Sequence, residues 1–276
     1  MQKVYQQAPL PFVGQKRFFL NDFRQALSRI PGDGDGWTIV DVFGGSGLLS
    51  HTAKREKPAA RVIYNDFDNY CERLNHIADY NRLREQLAVV IGDFPRGARL
   101  DDARVAGVKR VIAEFDGYID LRALGGWLLF STKQADSMDT LLSYEFYNNL
   151  RRTPLAEATG YLEGLEVVRR DFAELMAEYG DSPNTLFVLD PPYLSTMQGA
   201  YAGEAFRMVS FLRMIQLTRP PFVIFSSTRS EMMDYFDYLA GCVPEEYARF
   251  DGFEIVRKTA MVAGGITYED NMLFKI

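Results

Sequence analysis

Cysteine is scarce in this sequence. Cys71 and Cys242 are the only two in 276 residues, and they lie far apart without CxxC spacing. That excludes a disulfide framework and a cysteine zinc site, and it fits a reducing cytoplasm. Histidine is equally scarce, and His51 and His76 give no basis for a histidine-built metal centre or a Ser–His triad. No bound metal is expected. No apolar run reaches membrane-spanning length, and the N-terminus lacks the apolar core of a signal peptide. A soluble, cytoplasmic protein with no membrane partner is expected. Positive charge is short as well: the net charge is −6 and the pI about 5.1, whereas a nucleic-acid binder usually carries a basic excess. A local basic face stays open, from the pairs Arg151-Arg152 and Arg169-Arg170 and from Lys109, Arg110, Arg122 and Lys133. For the two pairs, solvated charge is at least as good a reading as phosphate contact.

What the sequence does hold is enough apolar material for a well-buried core, 47% of residues, in a length that suits one large domain or one domain with an insertion. Gln15–Ile30 carries Phe18, Phe19, Phe23, Ala26, Leu27 and Ile30 at helical spacing. Trp37–Phe43 reads as a buried strand followed at once by Gly44-Gly-Ser-Gly47 and a helix from Leu48. Strand, glycine turn and helix is the arrangement in which backbone N–H groups approach a bound cofactor without Cβ interference. Arg61–Asn65 is a second strand ending at Asp66, about twenty residues past the glycines, where nucleotide-binding α/β folds place a carboxylate on ribose hydroxyls. A nicotinamide fingerprint would want a third glycine, and Ser50 stands there instead.

Asp68–Leu87 reads as helix and Ala88–Gly92 as a strand or extended connection. From Asp93 to Glu163 the periodicity weakens, with helical segments around 120–130 and 139–150. So long a segment exceeds what a connection between core strands needs, so residues 94–163 read as an inserted subdomain within a catalytic domain made of 1–93 and 164–276. Leu165–Arg170 is a strand ending at Asp171, and Phe172–Tyr179 a helix. Residues 206–217 read as helix, 221–226 as a core strand and 230–239 as helix. Ser226, Ser227 and Arg229 follow that strand end. Two β runs on either side of Gly264-Gly265 read as a closing hairpin.

The most informative stretch is Leu186–Tyr193, Leu-Phe-Val-Leu-Asp-Pro-Pro-Tyr. Four apolar residues make a short buried strand with Asp190 at its carboxyl end. Pro191 and Pro192 then force the chain out of the sheet in a rigid turn, because each lacks an N–H and fixes φ. Carboxyl ends of strands in open α/β sheets are where ligands bind. Ser195–Gly203 has the composition of a mobile loop beside such a site.

Four pieces stand in one order: Phe43-Gly-Gly-Ser-Gly47, Tyr64-Asn-Asp66, Arg170-Asp-Phe172 and Asp190-Pro-Pro-Tyr193. This order resembles the Dam-like family of S-adenosylmethionine-dependent DNA adenine-N6 methyltransferases. Pro11-Phe-Val-Gly-Gln-Lys16 is similar to that family's N-terminal element, though shortened and without its tryptophan, and Arg257–Ile276 resembles its closing hairpin. The resemblance implies a Rossmann-like α/β methyltransferase sheet with a C-terminal β-hairpin and an inserted, mostly helical target-recognition subdomain, although no target-recognition motif is identified in the insert. It implies S-adenosylmethionine as cofactor, with Phe43, Gly45, Gly47, Lys16, Asp66, Asp171 and Phe172 around it. It implies double-stranded DNA as partner, with a flipped-out adenine. Asp190 and the Pro191 carbonyl would accept the amine N–H groups, Pro192 would hold the turn and Tyr193 would stack on the base. Asp66 and Asp171 have a plainer reading as helix N-caps. RNA or a protein amide as methyl acceptor, and a catalytically silent cofactor-fold subunit, stay open as alternatives.

Overall fold

The computed structural model describes residues 4–130, 133–194, 206–228, 230–261 and 267–276. Two compact units emerge. The first comprises Met1–Ala8, Phe12–Tyr70 and Gly160–Ile276, the second Pro9–Pro11 and Cys71–Thr159.

In the first unit a 3₁₀ turn at Arg17–Phe19 leads into α1 (Leu20–Leu27), so the expected helix over 15–30 is shorter and begins with a tighter turn. There follow β1 (Thr38–Asp41), α2 (Leu48–Glu56), β2 (Arg61–Asn65) and the first residue of α3 (Tyr70–Asn75). The second unit takes the rest of α3, then α4 (Ile77–Ile91), α5 (Asp102–Glu114), α6 (Leu121–Leu128) and α7 (Met138–Ser143). The chain returns to the first unit with β3 (Glu166–Val168), α8 (Phe172–Tyr179), β4 (Thr185–Leu189), α9 (Met208–Leu217), β5 (Phe222–Ser227), α10 (Met232–Cys242), α11 (Pro244–Tyr247), β6 (Glu254–Met261) and β7 (Thr267–Lys275).

The sheet is Rossmann-like, with order β3-β2-β1-β4-β5-β7-β6. Five strands are parallel; β7 runs antiparallel between β5 and β6. The central strands β4 and β5 are covered on both faces, which is why they read as unbroken apolar runs rather than alternating ones: every residue of each is buried. Val40, Ile63, Phe187, Phe211, Phe222 and Phe236 belong to one core cluster. Phe19 and Phe23 pack their rings on Phe225, at 5.6 and 6.4 Å. Each such buried aromatic stabilises the fold by about 1.5–3 kcal/mol.

The second unit departs from the sequence reading in three places. Residues 88–91 are the last turn of α4, not an extended segment, because Leu83, Leu87 and Ile91 continue one buried row and Gly92, at φ 58°, ends the helix. Helix α5 goes unforeseen; Asp101 caps it by accepting from Arg104 N, and only Val108 and Ile112 are buried along it. The segment 139–150 is helical only to Ser143, after which Phe146, Tyr147 and Asn148 run extended and bond to Leu100, Leu128 and Ala98. Within this unit α4 packs on α5. No helix among the described residues is long and apolar enough to cross a membrane. The expected loop at 195–203, Arg229 and the Gly264-Gly265 turn lie outside the described residues.

Candidate active site

The parallel register brings the carboxyl ends of β1, β2, β3 and β4 to one edge, and an acid stands at each: Asp41, Asp66, Asp171 and Asp190. Asn65 ties three of these ends together. Its amide donates to Val42 O (2.9 Å) and Arg170 O (3.0 Å), and its Oδ1 accepts from Arg170 N (2.9 Å).

The turn between β1 and α2 depends on glycine. Gly45 and Gly47 have φ of 48° and 70°, a region that L side chains rarely adopt. A Cβ at Gly45 would stand 3.0 Å from the Phe12 ring, so Phe12 leans on this turn. Gly44 is needed for a different reason. A Cβ there would stand 2.3 Å from the ring of Tyr64. That ring is fully buried, and its hydroxyl lies 2.7 Å from Gly45 O and 3.1 Å from Asp66 Oδ1, donating to one or the other.

Asp171 is the N-cap of α8, and Asp66 bonds to the first residue of α3. Asp66 Oδ1 accepts from Tyr70 N (2.6 Å) at the start of α3, and Asp171 Oδ1 accepts from Ala173 N (2.8 Å) and Glu174 N (3.3 Å) at the start of α8. Asp66 is buried and Asp171 exposed. Phe43 and Phe172, both half-buried, stack at 5.5 Å with an angle of 29°, and Phe206 closes on both rings. Phe206 was not among the residues expected at this edge.

Lys16 reaches Asp190. Its ammonium lies 2.7 Å from Asp190 Oδ1 and donates to Gly14 O at 2.9 Å. It also stands 5.8 Å from the Tyr193 ring centroid. Burial pushes the Asp190 carboxyl above its ordinary value, and the Lys16 charge opposes that rise. Pro191 is buried; Pro192 and Tyr193 are half-buried.

Asp41 is the residue that the sequence conceals. An acid within Ile-Val-Asp-Val-Phe has no distinguishing pattern, yet here it is 1% exposed at the end of β1. Ser50 Oγ donates to its Oδ2 at 2.6 Å, while Oδ1 has no hydrogen-bond partner among the described residues. Burial raises its pKa to about 7, with the nearby charge of Asp190 adding to the rise and Ser50 opposing it.

The chemistry of this edge fits S-adenosylmethionine. It combines carboxylates, including an orphaned buried oxygen, a glycine turn that opens a helix, and a stacked aromatic pair. Those groups suit a ligand bearing an ammonium, a sulfonium, a ribose diol and a flat adenine.

No protein-family model matches the chain. It is similar to a Haemophilus influenzae protein described as "Putative methyltransferase", 47% identical over 277 residues that span 99% of this chain and 93% of that one. Two solved structures are also similar. A "putative rRNA-methylase" of Clostridium thermocellum is 10% identical with a TM-score of 0.35, over 93% of this chain and 97% of that one. A precorrin-6y C5,15-methyltransferase of Geobacter metallireducens is 9% identical with a TM-score of 0.33, over 96% and 94%.

Proposed function

The chain belongs to the methyltransferase family of its Haemophilus influenzae relative, and we propose that it methylates the exocyclic N6 amine of adenine in DNA, on a base turned out of the duplex. The observation that carries this reading is the Asp190 carboxylate at the end of β4, which already accepts a nitrogen-borne hydrogen, that of Lys16, at 2.7 Å. An acceptor built for one N–H donor suits another.

S-adenosylmethionine is the methyl donor and supplies an electrophilic methyl group on a positively charged sulfur. Phe43, Phe172, Gly45 and Gly47 would hold it, with Asp66 and Asp171. Asp171 already uses Oδ1 to cap α8, so a contact from it to the ligand would fall on Oδ2.

An adenine amine is a poor nucleophile because its lone pair is delocalised into the ring. Asp190 and the Pro191 carbonyl would accept its two N–H groups and draw the nitrogen towards a tetrahedral, more nucleophilic geometry. This is positioning together with electrostatic stabilisation of the charge that develops on nitrogen. No strong base is required, since the nitrogen becomes positively charged as its new bond to carbon forms and then loses a proton readily. The amine lies within the base stack of a duplex, so the base must leave it, and Tyr193 offers a ring for it to stack on.

The test is tritiated-methyl transfer from S-adenosylmethionine to unmethylated duplex DNA, wild type against Asp190→Ala, followed by nucleoside analysis. N6-methyladenine from the wild type alone is the expected result. Transfer to RNA or to a protein amide, with none to DNA, would overturn the substrate and keep the chemistry.

A further inference from the structure

Two adjoining depressions in the second unit are lined by the same three arginines. One, of about 480 Å³, is bounded by the end of α4, the turn after it and residues 148–152; the other, of about 580 Å³, lies towards Trp127 and Thr153. Arg96, Arg151 and Arg152 line both, and Arg84 lines the first. In a chain of net charge −6, four guanidinium groups around one hollow call for an explanation.

The cluster is built rather than incidental. Arg84 donates through Nη1 to Arg152 O (3.2 Å) and Arg96 through Nη1 to Leu150 O (3.0 Å), so two head groups fix the main chain that carries the Arg151-Arg152 pair. Arg151 Nε donates to Thr153 O at 2.9 Å. The Arg84 side chain is only 9% exposed, and its Nε has no hydrogen-bond partner among the described residues. A buried guanidinium N–H without an acceptor is costly, and Arg84 lines the first depression. The opposing charges are few. Asp93 lines the first depression, and Glu85 sits 3.1 Å from Arg84 Nη2 with a mostly exposed side chain. Among the described residues no carboxylate pairs with Arg96, Arg151 or Arg152. The other arginine pair behaves differently, since Arg170 is engaged by Glu178.

The planar fork of arginine matches phosphate oxygens in a bidentate way. We propose that Arg84, Arg96, Arg151 and Arg152 form a phosphate-binding site that seats the backbone of the nucleic-acid methyl acceptor. The choice of a nucleic-acid backbone rests on the reading given under Proposed function; the phosphate chemistry rests on the arginines alone.

The experiment compares the full-length wild type with Arg151→Gln/Arg152→Gln, two exposed positions whose replacement leaves the core untouched, with folding checked by circular dichroism. Binding of an unmethylated duplex is measured by fluorescence anisotropy across a salt series, and binding of inorganic tripolyphosphate by calorimetry. Loss of two phosphate contacts lowers the slope of log K against log salt by about 2 and weakens duplex binding about tenfold or more at low salt. Tripolyphosphate binding should be lost with it. A variant equal to the wild type in duplex affinity and salt slope overturns the site while the adenine methylation reading stands. A wild type that methylates no DNA and binds none, yet binds tripolyphosphate through these arginines, overturns that reading and the backbone assignment together, leaving a site for free phosphate compounds.

Discussion

Lys16 and Asp190 form an ion pair of 2.7 Å across the edge of the sheet, one from the N-terminal element and the other from the end of β4. Burial and the Lys16 charge act on the Asp190 carboxyl in opposite directions. Burial alone favours the protonated acid, which cannot accept two N–H groups as well as the anion can; Lys16 favours the anion. Replacing Lys16 by methionine should therefore move the acidic limb of kcat/KM to higher pH, with much of the lost rate recovered at alkaline pH. Lys16→Arg should keep the limb near its wild-type place. An unmoved limb in Lys16→Met would show that the pair has no part in tuning Asp190.

Asp190→Asn tests the acceptor itself. The amide keeps the shape but loses the charge and presents donors to donors. Turnover should fall by about 10²–10³ or more, in the range seen when a group that stabilises developing charge is removed. The dissociation constant for S-adenosylmethionine, measured by calorimetry, should change by less than about threefold. A comparable loss of donor affinity would place Asp190 in cofactor binding instead.

Tyr193→Ala removes the ring on which the extruded base would rest. Stacking of one base on an aromatic side chain contributes about 1–3 kcal/mol, so KM for duplex DNA should rise by about 5- to 150-fold, while Tyr193→Phe should lie close to the wild type. Fluorescence of 2-aminopurine placed at the target position gives an independent check, as it rises when the base leaves the stack. Equal behaviour of Ala and Phe variants would assign the ring to packing.

The parallel core is legible in the sequence because strands buried on both faces leave continuous apolar runs; Arg61–Asn65 and Phe172–Tyr179 emerge with their observed bounds. Asp190 is legible for the same reason, since it stops the apolar run Leu186–Leu189. What escapes has a physical cause. Val89-Val90-Ile91 reads as extended from its β-branched side chains, but Val89 is 83% exposed and the run is simply the last turn of a helix. Helix α5 buries too few residues to show a period. Asp41 interrupts no run, because Val42 and Phe43 continue it, and only packing reveals a buried acid. The partner of Lys16 lies far along the chain, so its place on Asp190 depends on the whole topology.

Gly44→Ala should damage folding more than ligand binding. The new methyl group would meet the Tyr64 ring at 2.3 Å and Asn65 O at 3.0 Å, and the ring has little freedom to retreat because its hydroxyl is held at Gly45 and Asp66. Overpacking of this kind costs about 1–3 kcal/mol. Urea denaturation should show a lower midpoint with the slope preserved. Gly44→Ala combined with Tyr64→Ala, which vacates the space, should show less than the sum of the two losses. Simple additivity would mean that the two residues do not oppose each other.

Asp41 gives the protein a distinct dependence of stability on pH. Its carboxyl titrates near 7 when folded, against 3.8 as the ordinary value, so the folded state holds a proton that the unfolded chain has released. Stability from this group is therefore greatest below the unfolded pKa, falls as pH rises through the interval from about 4 to about 7, and is level above it. The limiting slope is about 1.4 kcal/mol per pH unit. Asn at this position can still accept from Ser50 and cannot ionise. Chemical denaturation between pH 5 and 8 should show Asp41→Asn gaining on the wild type as pH rises to about 7, and the difference should then stay constant. A difference that is flat across the whole range would mean that Asp41 is ionised in the folded protein, its Oδ1 charge compensated in some other way.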